Sequence, residues 1–424
     1  MRSLGKVLLI CLLLVSVTFV GCGSPTSPTT LDLNSEELNR LGERLDSATA
    51  TSDVSSVEPS CGNPDDLLPD DSALQDCLDR GGEILLQPGS PESPGYIVNG
   101  LNGDPTRGLI IKSNTRLTSA SGRARIIAGR DLKGFILKTS PGGANNFEIQ
   151  NISFDGMLDA VTSTGLYRVP EKNCNAGNLA LEGSNFRFVL NESKHALCGT
   201  GLILFGSSYD IQHNYIAFNG TDYLSGGPWS DGITALYCDR GYIAHNTFID
   251  NTDIDLVVGG GYGCVVELNT IAQYGKHAFS GLNIGNMASS ASGDHSGSSF
   301  RGNTIYSSSP NRMSMGISVG SHMWNKDVWV SNAGEVKDNT VYGADVNIVV
   351  DGIRGGTVAN NNFRNPVRVA SDNCNHSGYD YIVNSPHAIG AILQPGWTEL
   401  SYDSDVCPPA PKSDLRISNW MQWK

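Results

Sequence analysis

Six asparagines recur along the second half of the chain, each followed by one residue and then an apolar one: HNYI, HNTF, LNTI, GNTI, DNTV and NNNF. They are Asn214, Asn246, Asn269, Asn303, Asn339 and Asn361, spaced by 32, 23, 34, 36 and 22 residues. The short intervals define a coil of about 22 residues, and the long ones are the same coil with 10 to 14 residues of added loop. A repeat of that length is one supersecondary unit, which must stack on its neighbours to bury its apolar face. Between the asparagines lie short alternating segments, GITALY, IDLVV, GISVG and VNIVV, which read as strands. The 49 glycines and a charged fraction of only 17% suit many tight turns better than long helices. A stacked asparagine at a turn can hydrogen-bond the coils above and below it, so the repeat requires no functional role.

These features predict an all-β chain, a right-handed parallel β-helix with three short strands per coil and an N-terminal capping helix. In PDDSALQDCLDRGGEILLQPG, residues Leu74, Cys77 and Leu78 form an apolar stripe at helical spacing. A cap is needed because the open end of a solenoid exposes unpaired strand edges. This opening, followed by YIV and LIIKSNTRL, resembles the start of β-helices of the pectate-lyase superfamily. The resemblance implies the fold for residues 61–370 without choosing among the lyases, hydrolases, epimerases and adhesins that use it. Residues 371–424, with Trp397, Trp420 and Trp423, are expected to cap the other end.

Residues 1–21 read as an export signal: a basic start, MRSLGK, then an apolar run too short for a confident membrane span. The run ends in FVGC, which resembles the lipobox of bacterial lipoproteins. That resemblance implies cleavage before Cys22, lipid on its sulfur, and a place in the bacterial cell envelope. Gly23 follows the cysteine instead of aspartate, which points to the outer membrane. Residues 22–60 are rich in Ser, Thr and Pro and read as a tether. In an exported chain, Cys61, Cys77, Cys174, Cys198, Cys238, Cys264, Cys374 and Cys407 read as disulfides, with neighbour-to-neighbour pairing the simplest arrangement. No Cys-x-x-Cys pair or Cys/His cluster has zinc spacing, so no thiolate metal site is expected. A formal charge of −14 with no basic stripe argues against nucleic acid. A monomer is expected.

The repeat allows positions to be stacked. Ile233, Leu256 and Ile348 each lie thirteen residues before a ladder asparagine and are expected to point inward. The residues just ahead of them, Gly232, Asp255 and Asn347, are then expected to point outward. Asp231, Asp253 and Asp255 would share one strand entrance on two adjacent coils, about 4.8 Å apart. The next coil opens GKHAF, which brings Lys276 and His277 toward the same edge. Like charges held so close cost free energy unless a partner, a metal or a proton offsets them. Three insertions, GTDYLSGGPW, NMASSASGDHSGSS and SHMWNKDVWVSN, are expected to wall a binding face. Tyr223, Trp229 and Trp324 within them are candidate sugar platforms or, equally, clamps over the core.

The order WSDGI, NTDIDL, GKHAF is similar to polygalacturonase-type glycoside hydrolases. The similarity implies general acid and base roles for Asp231, Asp253 and Asp255, with His277 in support. The chain departs from that pattern in three places. Its aspartates are Asp-x-Asp, Ala278 follows His277 where the family has glycine, and Arg312, at a suitable distance to be the substrate-binding arginine, lies in NRMSM instead of an Arg-x-Lys motif. Hydrolysis needs two carboxyl groups and no cofactor, and crowding carboxylates supplies the protonated member. A second reading uses the same oxygens to hold Ca²⁺, with Lys276 or His277 as base for lyase or epimerase chemistry on uronates. A third is a non-catalytic glycan-binding or adhesion surface in which the aspartates only cap turns. Polysaccharide is the expected partner in all three. His213 and His245, each preceding a ladder asparagine, read as a stacked turn pair. Asp294, His295 and Ser296 are adjacent in sequence, which is no evidence for a triad.

Overall fold

The structure is a computed structural model that describes residues 60–158, 177–221, 228–287, 293–309, 312–323, 325–366, 379–383, 387–395 and 397. The export signal, the tether, Cys22, Cys174, Cys374, Cys407, Tyr223 and Trp324 lie outside the described residues.

Three parallel sheets of 11, 11 and 10 strands run the length of the solenoid, each strand pairing with its equivalents in the coils before and after. One coil shows the unit: Tyr242–Ala244, a turn at Asn246, Thr247–Ile249, a second turn, then Ile254–Val258. Strands of the last kind are the longest, reaching ten residues in Ser230–Asp239, and form what is called here the long-strand sheet. The sheets continue past residue 370 through Tyr379–Val383 and Ile392–Leu393.

The asparagine ladder is buried and continuous. Asn214 donates its backbone N–H to Oδ1 of Asn246 at 3.0 Å, and its side-chain amide to the same oxygen at 2.9 Å. Asn246, Asn269, Asn303 and Asn339 repeat the pattern as far as Asn361. The ladder begins one coil earlier than the sequence pattern suggested, at Asn191, whose N–H bonds Asn214 Oδ1 at 2.9 Å. The residue before each asparagine turns the chain in the left-handed region: His213 has φ 55°, His245 56°, Leu268 55° and Asp338 57°. That conformation costs a non-glycine residue roughly 1–2 kcal/mol, and the saturated amide network holds it in place. The His213 and His245 rings stack on these turns, centroids 5.1 Å apart and 8° from parallel.

Ile233, Leu256, Leu282, Ile317 and Ile348 follow one another in register and are fully buried, so the inward column is the expected one. The helix Asp71–Arg80 closes the first coil and buries Leu74, Cys77 and Leu78. Gln75 completes the cap by imitating a strand. Its side-chain carbonyl accepts the N–H of Ile110 at 2.8 Å and its amide bonds Ile110 O at 3.1 Å. An edge that would otherwise offer unpaired groups is thereby satisfied. Cys61–Cys77 ties the helix to the chain before it, and Cys238–Cys264 links adjacent coils. Cys198 is also disulfide-bonded, to a partner outside the described residues.

Candidate functional site

The three clustered aspartates are divided by a bend at the strand entrance. Ile254 and Val257, three residues apart, both belong to an apolar cluster outside the main core, while Leu256 belongs to the core itself. Strict alternation therefore fails between them, and Asp255 turns inward with Leu256. The expectation that Gly232, Asp255 and Asn347 point outward is overturned. A Cβ on Gly232 would stand 3.0 Å from Asn251 Nδ2 and from the buried Phe248 ring. Glycine leaves room there for an interior amide row that the sequence reading missed, in which Asn219 Nδ2 donates to Asn251 Oδ1 at 2.8 Å. Asp255 ends this row. Its Oδ1 accepts from Asn251 Nδ2 and its Oδ2 from Gln273 Nε2, each at 2.8 Å, and it is 0% exposed. Burial pushes its carboxyl up to about 8. The available signal was that Asn219 and Asn251 each follow a ladder asparagine by five residues.

Asp231 and Asp253 remain together as a pair on adjacent coils. Asp231 Oδ1 accepts the backbone N–H of Ile254 at 3.1 Å, and Oδ2 accepts the Thr234 hydroxyl at 2.6 Å. Asp253 has no side-chain hydrogen bond among the described residues and is 6% exposed. No described cation forms an ion pair with either one. Burial holds both carboxyls above the ordinary range, and the Asp231 charge raises Asp253 further. Such a pair titrates as a unit and keeps a proton at neutral pH. Thr234, three residues after Asp231 in the same strand, is the support that sequence reasoning missed.

The other predicted residues border this pair without meeting it. Ile254 pairs with Ser280, and Phe279 donates its N–H to Asp253 O at 2.6 Å. Phe279 is therefore the residue that follows Asp253 in the stack, and His277 lies two positions upstream in the turn. Lys276 spends its ammonium on the carbonyl oxygens of Phe218 at 3.0 Å and Gly220 at 2.8 Å. Asp250 organises that turn by accepting N–H groups from Tyr274 at 2.7 Å, Gly275 at 2.9 Å and Lys276 at 3.3 Å. Arg312 donates to Gly275 O and lies 3.5 Å from His277 Nδ1. Trp229 is partly buried against the outer apolar cluster of Ile254, Phe279 and Met315, which is the clamp arrangement. Asp294 Oδ1 caps its own turn by accepting from Ser296 N, while His295 is buried with Nε2 3.0 Å from Gly285 O, so these residues form no triad.

The fold defines the class: a right-handed parallel β-helix. No family model matches the chain, and no curated protein matches it. Among solved structures it is similar to a double mutant of the tailspike protein of E. coli bacteriophage HK620 in complex with pentasaccharide. That likeness has a TM-score of 0.54 at 14% identity, covering 79% of this chain and 61% of the tailspike. It is also similar to the A-module of mannuronan C-5 epimerase AlgE4 from Azotobacter vinelandii (TM-score 0.46, 14% identity, 78% of this chain and 93% of that one). A third similar structure is an exopolygalacturonase from Thermotoga maritima (TM-score 0.45, 12% identity, 80% and 90%). At these identities the likeness is one of fold.

Proposed function

We propose that this chain is an exported enzyme that hydrolyses glycosidic bonds of a polysaccharide at the Asp231–Asp253 pair. The observation that carries the reading is the pair itself: two nearly buried carboxyls with no countercharge among the described residues, one of them without a hydrogen bond. Burying like charges together costs stability that packing does not return, and such arrangements concentrate where a perturbed pKa serves chemistry. In this mechanism the protonated member donates to the glycosidic oxygen as the bond to the anomeric carbon breaks. The ionised member activates water or attacks that carbon. Thr234 and the Ile254 amide favour the ionised form of Asp231, which makes Asp253 the acid. Asp255 takes no part. A saccharide is chosen because the tailspike neighbour was solved with a pentasaccharide. Lipid attachment at Cys22 would place the enzyme on the bacterial outer membrane.

The test is release of reducing ends from a panel of polysaccharides, with added Ca²⁺ or with chelator. Reducing ends that survive chelation and vanish in Asp253→Asn support hydrolysis. Unsaturated uronate absorbance that requires Ca²⁺ would replace it with lyase chemistry. Saccharide binding without turnover would leave a capture module.

A further inference from the structure

At the opposite end of the long-strand sheet, three successive coils place His322, Asp351 and His387 together, just beyond the strands Met313–Val319, Val346–Val350 and Tyr379–Val383. Asp351 Oδ1 lies 3.0 Å from His387 Nδ1 and 3.5 Å from His322 Nδ1. One ligand atom from each residue falls within 4.8 Å of the other two. We propose that these three side chains bind a divalent d-block cation of the zinc class.

Donors about 2.0–2.2 Å from a tetrahedral zinc stand roughly 3–3.5 Å from one another, and both distances to Asp351 Oδ1 fall in that range. No separation among the three ligand atoms exceeds 4.8 Å, and the His387 side chain, 36% exposed, is the least enclosed of the three. His322 is the strongest sign of a ligand. Its side chain is 2% exposed, and neither ring nitrogen has a hydrogen-bond partner among the described residues. A buried imidazole left this way forgoes roughly 1–3 kcal/mol per group, a loss that one nitrogen recovers by ligating a cation.

The surroundings are built to hold the ring there. Gly352 has φ +85°, and a Cβ on it would fall 2.4 Å from His322 Cδ2, so only glycine lets the imidazole lie against the backbone beside Asp351. The N–H groups of Gly352 and Ile353 both bond His387 O, at 3.0 and 2.8 Å, and fix the third coil to the second. Trp329 packs edge-on against His322 at 4.2 Å and His387 at 5.7 Å. Two imidazoles and one carboxylate select a zinc-class ion over Ca²⁺, which takes oxygen donors. Lys326 and Arg354 stand close enough to oppose a cation and Asp327 to favour one, so affinity should fall below that of a closed four-ligand structural site.

The experiment is calorimetric titration of chelator-treated full-length protein with Zn²⁺, followed by visible absorbance of the Co²⁺ adduct. Wild type should bind one Zn²⁺ that excess Ca²⁺ does not displace, and its Co²⁺ form should show four-coordinate d–d bands. His387→Gln changes a partly exposed side chain and spares the buried Asp351. It should weaken Zn²⁺ by more than the roughly 10–100-fold that loss of an outer-sphere partner causes, and abolish the bands. Absence of stoichiometric binding to wild type would overturn the proposal. So would undiminished binding by His387→Gln, or binding that His213→Ala removes instead. The outcome is independent of hydrolysis at Asp231 and Asp253.

Discussion

Asn251 donates its side-chain amide to Asp255 Oδ1 at 2.8 Å, four residues away within one coil. Gln273 closes the other oxygen from the next coil, so Asp255 terminates an interior amide row and is shielded from any substrate. Replacing it with leucine strands two buried donors, each costing roughly 1–3 kcal/mol. Urea denaturation should show Asp255→Leu destabilised by about 2–5 kcal/mol, and Asp255→Asn, which keeps one acceptor, by clearly less.

The same residue gives stability a pH dependence. Its carboxyl stands at about 8 when folded against 3.8 when free, so folding favours the protonated form. The contribution is fully present below the lower value and is lost as pH rises through the upper one. Melting temperature should therefore fall between about pH 4 and pH 8. Asp255→Asn should flatten part of that decline, while Asp231 and Asp253, shifted in the same direction, sustain the rest.

For the proposed hydrolase, Asp231→Asn and Asp253→Asn should each lower kcat by roughly 10²–10⁴-fold. Their melting temperatures should hold or rise, because each substitution relieves a buried like-charge pair. Thr234→Val removes the hydroxyl that favours ionised Asp231, so Asp231 should titrate higher and the acidic limb of the rate profile, which its deprotonation sets, should move to higher pH. An unmoved limb would detach Thr234 from the chemistry.

The Cys238–Cys264 bridge closes a separation of 26 residues between adjacent coils. Chain-entropy reasoning puts its contribution at about 3.5 kcal/mol. A Cys238→Ala/Cys264→Ala variant should lose about that much in denaturant titration, with hydrogen exchange rising first in these two coils, as expected where each coil contacts only its neighbours.

Within the ladder, Asn269→Ala should cost more than an average core truncation. It removes the shared acceptor of the Asn246 backbone N–H and side-chain amide and takes the side-chain donor from Asn303 Oδ1, all in the buried interior. The cost should be about 2–4 kcal/mol, read by the same titration.

The coil, the inward column of Ile233, Leu256 and Ile348, the capping helix and two neighbour-paired disulfides were all legible in the amino-acid order. These features are translational: each follows from the strands and turns of a single coil, and a 22-residue step repeats them. The facing of Asp255 was not legible, because a bend at the strand entrance puts two consecutive side chains inward where alternation predicts one. The place of His277 shifted by two residues for a related cause, since the turn over Asp250 absorbs chain before pairing resumes at Ser280. The His322–Asp351–His387 cluster was hidden more completely. Its members lie in loops beyond the strand ends, the last two separated by 36 positions, and no spacing in one dimension reports which loops of stacked coils converge. The sequence determined the repeat because the repeat is local. Only the tertiary structure decided which polar side chains meet, because that depends on how unequal loops return to a common register.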